Sequence, residues 1–196
     1  MKLLGVLSLA LTAALAVAAQ SDWITYQSLE GSYSVSFPQE PKLSTRDTTN
    51  NNGLRMKEFL ATSNDGATVF MIGYFDYTEP ITFSLEKARD SVVKSLHATL
   101  LTDERIGFDG APGRGLTLLV KPKETEFIAR TRIYDTNHRV FFVQCIFPKA
   151  DAGPAMVGKC DRFADSFRVT KNLLTSDRPN IKIPAIRYEH SFAESE

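Results

Sequence analysis

The chain is poor in the residues that usually carry chemistry. Its 196 residues include two cysteines, one tryptophan and three histidines, and 23 basic residues cancel 23 acidic ones. Two cysteines exclude a disulfide miniprotein and a four-cysteine zinc site. Balanced charge gives no reason to expect nucleic acid or a strongly anionic membrane as partner. Eleven glycines and nine prolines are too few for collagen or a low-complexity chain. What is present is apolar mass: 43% of residues are hydrophobic, 13 of them phenylalanine, and 23% are charged. That mixture folds rather than staying disordered, and the length suits one domain.

The first 19 residues differ from the rest. Lys2 is their only charge, residues 3–15 are an apolar run, and Ala16, Val17, Ala18 and Ala19 follow. A short positive start, an apolar stretch of about a dozen residues and a small-residue end make a signal peptide, with cleavage near Ala18 or Ala19. The alternative, a retained anchor, is short for the roughly 20 apolar residues that span a bilayer. No other stretch approaches spanning length. The expectation is a periplasmic or secreted protein with no transmembrane segment in the mature chain.

Export makes the two cysteines worth pairing. Phe141, Val143, Cys145 and Phe147 share one face of a strand on period 2, and Met156, Cys160, Phe163 and Phe167 form one stripe of a helix. If that helix packs on that face, Cys145 and Cys160 meet and close a loop worth about 3 kcal/mol on the chain-entropy model. The alternative is two reduced thiols acting as small buried hydrophobes.

Along the remaining chain, Tyr33, Val35 and Phe37 alternate with serines as a half-buried strand. Asn64, Asp65 and Gly66 mark a hairpin between strands over 54–62 and 67–75. A helix starts at Ser84, with Leu85, Ala88, Val92, Leu96 and Leu100 as its apolar stripe. A turn spans 109–113, three strands fall at 114–121, 126–134 and 139–147, and a helix near 154–164 precedes a short strand at 166–170. These elements predict an α+β domain over residues 20–170: an antiparallel sheet with helices packed on its faces. Residues 171–196 lack periodicity and read as a C-terminal tail, extended or disordered.

Four stretches, in this order, resemble a known fold: G-S-Y-S-V-S-F-P-Q-E-P from Gly31, D-G-A-P-G-R-G from Asp109, R-V-F-F-V from Arg139 and R-F-A-D-S-F-R from Arg162. Together they are similar to small exported bacterial proteins of the Mog1/PsbP-like fold, mostly uncharacterised. The resemblance implies an antiparallel sheet with helices on its faces. One branch of that fold resembles a nuclear transport cofactor and the other comprises extrinsic photosystem subunits and their assembly relatives. It therefore implies binding rather than catalysis, and it transfers no functional residue.

No catalytic constellation is legible. His97, His138 and His190 are far apart, no G-x-S-x-G elbow exists, and residues 110–115 are glycine-rich but lack the Lys-Ser/Thr of a phosphate loop. Neither a metal nor a cofactor is expected. One charge bias stands out. Arg114, Lys121, Arg130, Arg132 and Arg139 crowd the three-strand run, which makes a basic patch for an anionic partner one hypothesis. The other is a solvated sheet face whose charges pair with Glu124 and Glu126. The function expected is an exported non-catalytic domain that binds an unknown protein or small ligand in the cell envelope. The alternatives are a secreted enzyme with a site unreadable from sequence, or an accessory factor on a membrane complex.

Overall fold

The computed structural model describes residues 23–49, 55–77, 83–136 and 139–170. The expected signal peptide, the tail and two of the histidines, His138 and His190, lie outside the described residues.

Among the described residues, ten strands form two antiparallel sheets. The smaller has the order β1-β2-β10, made from Ile24–Ser28, Tyr33–Phe37 and Arg168–Val169. The larger has seven strands in the order β3-β4-β5-β9-β8-β7-β6. Its members are β3 (Lys42–Thr49), β4 (Arg55–Asp65), β5 (Thr68–Tyr77), β6 (Thr99–Phe108), β7 (Ala111–Val120), β8 (Phe127–Asp135) and β9 (Val140–Pro148). Two α-helices, α1 (Leu85–Ser95) and α2 (Pro154–Asp165), and a 3-10 turn at Lys149–Asp151 complete the described residues.

The period-2 alternation of the central strands assigns each side chain to a face. Phe141, Val143, Cys145 and Phe147 of β9 join Phe70, Ile72 and Tyr74 of β5 on one face, under the smaller sheet and α2. Phe163 of α2 and Phe167 plug this aromatic core, each at most 1% exposed. Complete burial of one such ring is worth roughly 1.5–3 kcal/mol. Arg162 stacks on the Trp23 ring, 4.5 Å from its centroid, and Trp23 meets Phe70 edge-on at 5.6 Å. On the opposite face, Ala88, Val92 and Leu96 of the α1 segment pack on Leu116, Leu118, Ala129 and Ile133.

The turns follow their chemistry. Phe108 pairs with Ala111 across a two-residue loop in which Asp109 and Gly110 both have positive φ, 46° and 81°. That is the requirement of the tight hairpin whose twist matches the strands.

Three features depart from the sequence reading. The first helix ends at Ser95 rather than running to Leu100: His97 takes a left-handed φ of 47°, and Leu100 falls in β6. The strand β6 that follows was hidden behind a leucine whose helical spacing was coincidental. Strand β3 was not anticipated either. Seven of its eight residues are exposed, so no apolar alternation marks it. The smaller sheet is the third addition. The rest of the fold class holds, with one helix packed on each face of the large antiparallel sheet.

Candidate functional site

The two faces of the large sheet are covered unequally. The smaller sheet and α2 lie over β5, β9 and part of β8, and reach β6 only at its end, where Phe108 meets Phe167 at 5.3 Å between ring centroids. The uncovered strip is a cleft of about 340 Å³. Its floor is Thr102, Glu104 and Ile106 of β6 with Gly115 and Thr117 of β7, and its inner wall is Arg130, Arg132 and Tyr134 of β8 with Asp161 and Ala164 of α2.

Strand register orders these residues into cross-strand rows. Glu104 pairs with Gly115, and Gly115 with Arg132. Thr102 pairs with Thr117, and Thr117 with Arg130. Ile106 pairs with Gly113, and Gly113 with Tyr134. The middle row therefore has a carboxylate on the outer lip, bare backbone in the centre and a guanidinium on the inner wall.

The inner wall is internally neutralised. Arg130 Nη1 lies 2.9 Å from Asp161 Oδ1 and donates to the Val157 carbonyl at 3.2 Å. Arg132 donates to Asp165 Oδ1 at 2.6 Å and to Asp161 Oδ1 at 3.3 Å. Burial lowers the pKa of the Arg132 guanidinium, but Asp165 and Tyr134 outweigh that effect and leave it above the ordinary arginine range. Glu104 is exposed and has no ion pair among the described residues.

The five basic residues singled out in the sequence do not come together. Arg130 and Arg132 line the cleft. Arg114 lies on the α1 side, where it pairs with Asp103 at 3.1 Å and Glu86 at 2.8 Å. Lys121 sits just past the end of β7, 3.9 Å from Glu126. Arg139 lies 4.4 Å over the Tyr74 ring and binds Asp76 at 2.8 Å and the Glu30 carbonyl at 2.6 Å. Glu126 does serve as a partner, as the sequence suggested, but the carboxylates that quench the two cleft arginines come from α2. Opposite charges 30 residues apart in sequence carry no local signal, so pairing across the helix–sheet contact was not legible.

Cys145 and Cys160 are joined in a disulfide, with their Cα atoms 5.6 Å apart. Both are 2% exposed, beneath the inner end of the cleft. The bridge ties the middle of α2 to β9, so it fixes the wall that carries Asp161.

Arginine stays protonated at any ordinary pH, so neither Arg130 nor Arg132 can relay a proton. Among the described residues no three His, Cys, Asp or Glu side chains gather as metal ligands, and no helix is long and apolar enough to cross a membrane.

An α+β sandwich of two antiparallel sheets, with a helix on each face of the larger, defines the class. No family model and no curated protein matches the sequence. Solved structures do match the fold. Cyanobacterial PsbP (CyanoP) from Synechocystis sp. PCC 6803 is similar over 81% of this chain and 98% of its own, with a TM-score of 0.50 and 13% identity. A protein from Bacteroides thetaiotaomicron matches 75% of this chain and 48% of its own at a TM-score of 0.43 and 15% identity. A protein of unknown function from Pseudomonas aeruginosa matches 81% and 99% at 0.34 and 12% identity. The fold of this chain is PsbP-like.

Proposed function

We propose that the chain is an exported, non-catalytic binding domain of the cell envelope, and that the cleft over β6, β7 and β8 is its ligand surface. The observation that carries this reading is the unequal covering of one sheet face: a polar strip is left open beside a wall held by a disulfide and three ion-pair contacts. A rigid concave surface with few polar groups is the common form of a binding site. The leader-like N-terminus and the bridge support export, since such bridges persist in oxidising compartments.

Site-specific photo-crosslinking in cells tests it. A photo-reactive residue at Thr117, on the cleft floor, should trap a discrete adduct, whereas the same residue at exposed Thr45 on β3 should not. Equal adducts at both positions, or none at Thr117, would overturn the cleft as the ligand surface.

A further inference from the structure

The charge arrangement of the cleft indicates what kind of ligand it takes, granting that the cleft is the binding surface. An anion would need a free cation, and the lining offers none. Arg130 is paired with Asp161, and Arg132 with Asp161 and Asp165 on α2, so two carboxylates balance the two guanidiniums and the inner wall carries no net positive charge. The charge left without an ion pair among the described residues is negative: Glu104, on the outer lip.

The surroundings of Glu104 narrow the class further. Its neighbour on the same row is Gly115, where no side chain rises from the floor. One side of that bare strip is flanked by Ile106, an apolar wall for an aliphatic stem. The other is flanked by Thr102 and Thr117, register partners whose hydroxyls lie one row away from Glu104. Successive rows on a face are ~7 Å apart and neighbouring strands ~5 Å apart. One carboxylate beside two hydroxyls matches a compact ammonium with its three donors better than a planar guanidinium, which seeks a fork of two parallel acceptors.

We propose that the cleft binds a primary ammonium carried on an aliphatic stem, with the ammonium on Glu104 and the stem along Gly115 and Ile106. The chemistry is shared by free diamines and by lysine side chains of a polypeptide.

Titration of the full, ¹⁵N-labelled chain with cadaverine, with trilysine and with triglutamate, followed by amide shifts, tests this. Both ammonium probes should move the amides of Thr102, Glu104, Gly115 and Thr117, and triglutamate should not. Stronger binding of trilysine than of cadaverine assigns the lysine source, and the reverse assigns the diamine. Glu104→Gln should weaken binding up to about fivefold, the range of an exposed ion pair, with the spectrum otherwise unchanged. Gly115→Val, which fills the floor, should abolish the response. If triglutamate alone moves these amides, or if Glu104→Gln has no effect while Gly115→Val does, the ammonium assignment fails and the cleft stands. If every probe leaves the cleft amides unmoved, the ammonium assignment fails, and the crosslink at Thr117 decides separately on the cleft.

Discussion

Arg114 on β7 and Asp103 on β6 form an ion pair that also ties α1 to the sheet: Arg114 Nη1 lies 3.1 Å from Asp103 Oδ1, and Arg89 of α1 reaches the same carboxylate at 2.9 Å. Both partners on the sheet are largely buried, at 11% and 17% side-chain exposure. Asp103 thus holds two cations at once, one from each layer.

Asp103→Asn should therefore cost about 2 kcal/mol, less than the roughly 3–5 kcal/mol of a fully buried pair because Arg89 is 26% exposed. Urea unfolding should show a lower midpoint with an unchanged slope. A midpoint equal to that of the parent chain would mean that α1 is held by its apolar stripe alone.

Reduction should weaken the fold. The bridge closes a loop of 15 residues' separation, which corresponds to about 3 kcal/mol. A thiol reductant present during unfolding should lower the midpoint of the parent chain. It should leave a Cys145→Ser/Cys160→Ser variant unmoved at an already lower midpoint. Equal midpoints for the parent chain with and without reductant would contradict a structural role for the bridge.

Glycines at two neighbouring cleft-side positions should behave differently. A Cβ on Gly113 would come within 2.6 Å of the Ile133 carbonyl oxygen, which is backbone and cannot yield. A Cβ on Gly115 would meet only Ile106 Cγ2 at 3.4 Å. Gly113→Ala should lower the melting temperature measurably, by an overpacking cost of about 1–3 kcal/mol. Gly115→Ala should be near neutral, and differential scanning calorimetry compares the two directly.

Alkaline pH should destabilise the protein through its tyrosines. Burial raises the Tyr33 and Tyr77 hydroxyls well above the ordinary tyrosine range, because the phenolate loses its hydration. Burial likewise raises Tyr74, against the opposing pull of Arg139 over its ring. A raised folded value means that the native state holds its protons after the unfolded chain has begun to lose them at about pH 10. The resulting stability is complete below that pH and falls as pH rises beyond it. Absorbance at 295 nm should show these tyrosines ionising together with loss of near-ultraviolet dichroism. Ionisation at the free-tyrosine pH with the fold intact would refute their burial.

How much the sequence disclosed follows from where each element sits. Strands β2, β5 and β9 bury at least one full face, so their apolar residues recur in patterns that register imposes, and the chain shows them plainly. The Cys145 and Cys160 stripes were readable for the same reason. Edge strands are different. Lys42 to Thr49 exposes nearly every side chain and Thr99 to Phe108 most of them, so selection for burial leaves little pattern in either. The cleft was illegible for a related reason. It exists because α2 and the smaller sheet reach β6 only at Phe108, and a strip left open beside them has no counterpart in the chain to announce it. Glu104 appeared in the sequence only as one carboxylate among many. Its distinction, a bare glycine on one side and no ion pair among the described residues, is purely spatial.

The disulfide has a temporal meaning besides its mechanical one. Without the bridge, the wall bearing Asp161 rests on the Phe163 plug and on ion pairs with Arg130 and Arg132. The bridge forms where oxidants are available. A copy whose two thiols are still reduced therefore carries the right residues on an unset clasp, and the jaw beside Gly115 sets when they are oxidised. That setting step needs only two sulfurs on facing elements and an oxidant.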